Sequence, residues 1–131
     1  MTPSHHPAWL RRGHRGAYET IIDELSTAMT AKDEDAVRDL LHRAVTLIID
    51  SGGHGDTASI PLNGRTAASS ELVSLMTTGT TTVVASINSV PGITLVRDDR
   101  VVGVITAAFR SGRLSSVWVV CNPEKLRHWN R

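Results

Sequence analysis

Through the last third of the chain, apolar and polar positions alternate with period two, and this pattern predicts consecutive strands between Thr80 and Cys121. In Thr80–Asn88, Val83, Ala85 and Ile87 point to one face and Val84 and Ser86 to the other, and the β-branched content favours a strand. A turn is expected at Val90-Pro91-Gly92, because proline lacks a ladder donor and glycine accepts positive φ. Ile93–Arg97 follows, then a second turn at Asp98-Asp99-Arg100. Val101–Arg110 places Val101, Gly103, Ile105, Ala107 and Phe109 on one face and Val102, Val104, Thr106 and Ala108 on the other. After Ser111-Gly112, Leu114, Ser116, Trp118 and Val120 alternate with Ser115, Val117, Val119 and Cys121. Turns this short force antiparallel neighbours, so the block reads as a meander.

Neither face of these strands is clearly polar, so both call for cover. Helices from earlier in the chain can cover one. A second copy of the chain is the expected cover of the outer face, which makes a homodimer; the plainer alternative is that small residues such as Thr106 and Ala108 sit in water.

The earlier chain supplies the helices. Tyr18, Ile21, Ile22, Leu25 and Met29 form one stripe of an amphipathic helix over Ala17–Met29. Asp33 is placed to cap a second, in which Ala36, Val37, Leu40, Leu41 and Ala44 form the buried side. Val45–Ile49 reads as a strand, Asp50–Asp56 as a glycine-rich loop, and Thr57–Leu62 as an edge strand tolerating Pro61. A third helix is expected from about Arg65 to Thr77, burying Ala68, Leu72, Val73 and Met76. Helices clustered early beside one sheet predict the α+β class.

At 131 residues a single domain is expected, over 17–131, with 1–16 as a flexible leader lacking periodicity, from which Trp9 and Leu10 are available to dock. With 14 Lys and Arg against 13 Asp and Glu, the net charge of +1 argues against a nucleic-acid-binding face. No apolar run is long enough for a membrane span, and the N-terminus lacks the order of a signal peptide, so the cytoplasm is the expected compartment. Cys121 is the single cysteine, which excludes an internal disulfide and agrees with a reducing environment. His5, His6 and His14 lack Cys or carboxylate partners at fitting spacing, so no metal is expected, and no cofactor motif is present.

Two stretches carry a resemblance: Asp50-Ser51-Gly52-Gly53-His54, and Asn122-Pro123-Glu124-Lys125-Leu126. Between them stand Ile87-Asn88-Ser89-Val90-Pro91-Gly92, then Arg97-Asp98-Asp99-Arg100-Val101-Val102-Gly103-Val104, and Ser111-Gly112-Arg113-Leu114. Together they resemble the SnoaL-like domain of the nuclear transport factor 2-like superfamily, as fused to the C-terminus of certain bacterial extracytoplasmic-function sigma factors. Those domains carry a D-G-G-G-K loop and an N-P-D-K-L ending. The resemblance runs from about Tyr18 to Trp129 and implies a cone-shaped fold, three helices closing over a curved, mostly antiparallel sheet, usually dimeric. Asp50, Gly52 and Gly53 match the loop motif. Ser51 replaces a glycine, His54 stands for the lysine and Glu124 for the aspartate. No sigma regions precede the domain in this sequence, so promoter selection by the chain itself is not expected.

The wider superfamily includes ketosteroid isomerases, polyketide cyclases and dehydratases, whose acid-base work uses a carboxylate or histidine inside the cone. Between Val101 and Phe109, and between Leu114 and Cys121, no Asp, Glu or His is available for that work. The remaining catalytic candidates are Asp50 and His54, with His42 and Asp56 behind them. Each has an ordinary reading: His42 as a helix-end group, Asp50 and Asp56 as turn residues bonding loop amides, His54 as an exposed loop histidine. As ligand-binding or loop-motif residues we single out Asp50, Gly52, Gly53, His54, Asp56, Asn88 and Trp118; turn capping by Asn88 and core packing by Trp118 are the plainer alternatives. The loop lacks the G-x-x-x-x-G-K-[ST] pattern of a phosphate cradle.

Asn122–Arg131 reads as a short helix started at Pro123, with Leu126 and Trp129 on one face. In the related sigma factors this region is implied to contact the sigma core. Asn122, Pro123, Lys125, Leu126 and Trp129 are therefore the expected partner-binding residues, and the partner a protein of the transcription machinery. The expected function is a non-enzymatic binding or regulatory module. The alternative is a small isomerase, cyclase or dehydratase acting on an apolar ligand in the cone.

Overall fold

The computed structural model of the chain describes residues 8–52 and 59–130. Among them the order is α1 (Ala8–Thr30), α2 (Glu34–Leu40), β1 (Leu41–Asp50), β2 (Ser59–Asn63), α3 (Arg65–Ser74), β3 (Thr81–Ile87), β4 (Val90–Arg97), β5 (Arg100–Arg110) and β6 (Arg113–Val120), then a 3-10 turn at Arg127–Asn130. The strands form one sheet in the order β2-β1-β6-β5-β4-β3, with β1 parallel to β6 and every other pair antiparallel. The class is α+β, as the order of elements implies.

The α1 backbone is helical from Ala8, so the segment 8–16, read above as leader, belongs to this helix. Its glycines and polar residues hide the helical period. The usable cue is Pro7, since proline is tolerated at a helix start and not inside. The predicted stripe is found: Ile21, Ile22, Leu25 and Met29 are buried. Tyr18 joins them, its hydroxyl donating to the Ala107 carbonyl at 2.7 Å and its ring meeting Phe109 edge-on at 6.0 Å. Ser26 and Thr30 tie the same helix to Thr82 of β3, at 2.5 and 3.0 Å.

Asp33 caps α2 as expected, accepting from the Ala36 amide at 3.1 Å. The helix stops at Leu40, however, and Leu41 is already extended (φ −96, ψ 140). Leu41 and Ala44 are therefore strand residues, and Ala44 is exposed rather than buried. The β-branched run that follows pairs on both sides, with β2 and with β6, and that tertiary pairing outweighs one more helical turn. Between Leu41 and Thr46 the register with β6 breaks, and the His42 Nδ1 accepts the Ala44 amide at 3.0 Å in place of a ladder partner. Pro61 sits in edge strand β2, where its missing donor is tolerated.

The meander is present, with its first turn displaced. Asn88-Ser89, Asp98-Asp99 and Ser111-Gly112 each take positive φ at both positions, the type I′ geometry that matches strand twist. Val90-Pro91-Gly92 is not the turn but the start of β4. Pro91 opposes Ser86 and lies outside the stretch of β4 that pairs with β5, so no bond is lost there. Gly92 is needed for close packing: a Cβ would stand 2.7 Å from the Ile105 carbonyl oxygen and 2.5 Å from Ile87 Cδ1.

One bulge changes which residues face inward. The register of β5 with β6 shifts between Ala108 and Phe109, so Ser115 and Ser116 take up an extra position. Leu114, Val117 and Val119 are buried, and Trp118 is turned to the outer face, 40% exposed. The core lies between the helices and the inner face, where Ile22, Leu25, Leu47, Leu72, Ile93, Ile105 and Leu114 are fully buried. Each such side chain contributes about 1.5–3 kcal/mol relative to exposure. Among the described residues the buried polar ones are Ser69 and Thr94.

Candidate functional site

Because β1 and β6 run parallel, their C-terminal ends leave the sheet side by side, Asp50 opposite Val120. The loop motif after β1 and the ending after β6 are thereby brought together. The Cys121 amide donates to the Asp50 carbonyl at 2.7 Å. The Asp50 carboxylate accepts the Gly52 amide on Oδ1 at 3.2 Å and the Lys125 ammonium on Oδ2 at 2.5 Å. Asn122 Oδ1 accepts the Glu124 amide at 3.0 Å, and its carbonyl accepts the amides of Lys125 and Leu126. Gly52, at φ +75, abuts Asn122: a Cβ there would stand 2.7 Å from Oδ1.

The electrostatics follow from these contacts. Hydrogen bonding from Lys125, aided by the Gly52 amide, lowers the Asp50 pKa below its ordinary value. Burial, and secondarily the Asp50 charge, pushes the Cys121 thiol up. The side chain is half-buried and packs against the core.

Beside this junction a cleft of about 510 Å³ opens between the end of α3 and the C-terminal segment. Cys121, Pro123 and Leu126 line it from the junction side, and Arg97, Arg100 and Arg127 from its rim. Arg97 is held by the hydroxyls of Thr77 and Thr80, at 2.7 and 3.3 Å.

No family model matches this sequence. No curated protein matches it either. Solved structures do match its fold. The Mycobacterium tuberculosis extracytoplasmic function sigma factor SigJ superposes with a TM-score of 0.62 at 23% identity, covering 83% of this chain and 43% of that one. The chain thus spans less than half the length of that sigma factor. A Burkholderia xenovorans protein of unknown function, described as NTF-2 like, gives 0.62 at 13% identity over 89% of this chain and 95% of its own. A Kribbella flavida candidate ketosteroid isomerase gives 0.57 at 13% identity, over 80% and 77%. The chain has the nuclear transport factor 2-like fold. At these identities the likeness carries the fold and no activity.

Within the nuclear transport factor 2-like frame the predicted site residues separate into groups. Asp50, Gly52, Asn122 and Lys125 come together at the junction. Gly53, His54 and Asp56 lie outside the described residues. Asn88 is away from the junction, the first residue of a type I′ turn, as its turn reading implies. Trp118 neither lines an interior cavity nor packs in the core, because the β6 bulge turns it outward. His42 is a β1 residue, not a helix-end group; partial burial and the guanidinium of Arg110, 3.4 Å from Nε2, lower its pKa.

The C-terminal residues divide as well. Leu126 is buried in a small cluster with Ile87 and Val104, whereas Trp129 is 40% exposed, so the two do not share an accessible face. Pro123 is exposed. Asn130 anchors the segment by bonding both the amide and the carbonyl of Val101, at 2.7 and 2.9 Å.

The arginine rim escaped sequence reading. Its signal was available: a two-residue turn at Asp98-Asp99 makes Arg97 and Arg100 direct cross-strand neighbours.

Proposed function

We propose that the chain is a non-enzymatic binding or regulatory module, related in role to the domains fused to sigma factors. The observation that supports this most is the junction, where Asp50 and Lys125 pin the C-terminal segment to the end of the sheet. A segment fixed in this way offers Trp129 and Pro123 as a preformed contact, and an exposed aromatic is an effective interface anchor. The partner we favour is a protein of the transcription machinery. Among the described residues no Asp, Glu or His is buried in the interior, which weighs against acid-base chemistry inside the cone. An isomerase, cyclase or dehydratase reading would draw on Asp50 or His54, with His42 and Asp56 behind them.

The chain is proposed to act as a cytoplasmic homodimer through the outer sheet face, where Trp118 and Val83 are exposed. Among the described residues no helix is long and apolar enough to cross a membrane.

The test is binding of the immobilised chain to a purified extracytoplasmic-function sigma factor truncated before its own C-terminal domain. Trp129→Ala should weaken capture about tenfold or more, the size expected of an aromatic anchor. Undiminished capture would remove the C-terminal segment as the contact. Leu126→Ala is unsuitable here, because Leu126 is part of the fold.

A further inference from the structure

We propose that the cleft between α3 and the C-terminal segment binds a small amphiphilic carboxylate, its head held by Arg97, Arg100 and Arg127 and its apolar body lying on Leu75, Leu95 and Leu126. This site adjoins the protein contact proposed above, sharing Pro123 with it, but its argument does not depend on that contact.

Charge is the first argument. The chain as a whole is nearly neutral, at +1, yet three arginines line one concavity. Arg97 and Arg100 are direct partners across the β4–β5 turn, and like charges placed opposite one another on a sheet are destabilising. An anion between them reverses the sign of that interaction. Arg97 is oriented by its bonds to Thr77 and Thr80 through Nη1, which leaves its other N–H donors for a ligand. Arg127 has one acidic neighbour, Glu124, at 3.6 Å on the exposed surface, a contact worth little and easily exchanged. Asp98 and Asp99 form the adjacent turn and are the competing negative charges.

Shape and lining are the second argument. The volume of about 510 Å³ lies in the range of small-molecule sites, roughly 300–1,000 Å³. Leucine side chains from α3 onward, β4 and the C-terminal segment supply an apolar floor beneath the arginine rim. A planar carboxylate matches the fork of a guanidinium, and the floor selects a ligand with a hydrocarbon body over a bare inorganic anion.

Octanoate is the probe, titrated calorimetrically into the full chain beside octanol and inorganic phosphate. Saturable binding of octanoate is expected, weakening as salt rises, with octanol and phosphate each weaker by about tenfold or more. The double variant Arg100→Met/Arg127→Met changes two exposed side chains and should lose binding about tenfold or more while keeping the thermal transition of the parent. Absence of saturable octanoate binding would overturn the proposal. So would equal binding of octanol, or octanoate binding unchanged in the double variant. Capture of an acidic peptide without octanoate binding would equally overturn it, in favour of a protein ligand.

Discussion

The side-chain oxygen of Asn122 crowds residue 52: a Cβ there would stand only 2.7 Å from it. Position 52 also sits at φ +75, which costs a non-glycine residue roughly 1–2 kcal/mol. Gly52→Ala should therefore destabilise the chain by at least about that much, read by denaturant unfolding. Adding Asn122→Ala should cost less than the sum of the two single changes, because removing the amide relieves the crowding. Strict additivity would show that the two residues do not press on each other in solution.

Asp50 and Lys125 form an ion pair whose members are 20% and 61% exposed at the side chain, so the pair itself is worth about 0.2–1 kcal/mol. The folded pKa of Asp50 is depressed below its unfolded value. Its contribution is thus fully present above the unfolded pKa, about 3.9, and is lost as pH falls from there through the folded pKa. Lys125→Met should flatten the acid limb of a melting-temperature profile and leave the neutral region nearly unchanged. An acid limb identical to that of the parent would count against the pair.

Tyr18 is the single tyrosine of the chain, so its titration is directly visible by ultraviolet absorbance. Burial raises its pKa above the ordinary value, with the opposing bond to Ala107 a smaller effect. The stabilisation is present below the unfolded pKa of about 10 and is lost as pH rises through the folded one. Tyr18→Phe should cost about 0.5–1.5 kcal/mol at neutral pH and remove that alkaline limb.

His42 should titrate below its ordinary value, because partial burial and then the charges of Arg110, Arg43, Arg113 and Arg65 disfavour the imidazolium. Its folded pKa being lowered, the neutral form is favoured in the folded state, and the associated stability is lost as pH falls through that pKa. In a proton NMR titration, Arg110→Ala should move the His42 midpoint upward. A midpoint that stays put would show that Arg110 does not act on the ring.

Leu72→Ala removes a fully buried side chain from the contact of α3 with the core and should cost about 2–5 kcal/mol in a denaturant titration.

Much of this fold is legible in the order of the chain. The strands from Thr81 onward follow from β-branched alternation, and the α1 stripe and the Asp33 cap follow from spacing and side-chain chemistry. The errors have local causes. Residues Leu41 and Ala44 continue a helical period that sheet pairing overrides, and Asn88-Ser89 can adopt left-handed geometry as readily as the more conspicuous Pro91-Gly92. The facing of Trp118 depends on one extra residue in β6, which a period-two pattern cannot register. For the site, Asp50, Gly52, Asn122 and Lys125 could each be picked out, but not their meeting, because the parallel β1–β6 pairing that joins them is a long-range property. The rim arginines needed a hairpin register and the position of the C-terminal segment at once.

That parallel pairing also bears on how the molecule assembles. Strands β3 to β6 are joined by two-residue turns and can zip up locally, each hairpin closing a short loop. The β1–β6 contact must close a loop spanning α3 and the whole meander, so it carries the largest entropic cost and is expected among the last to form. The Asp50–Lys125 bond exists only once that closure is complete. Nascent chains stalled before β6 would therefore have α1, α2 and α3 available and no junction, and the segment after β6 could be pinned only once that strand had been made and paired.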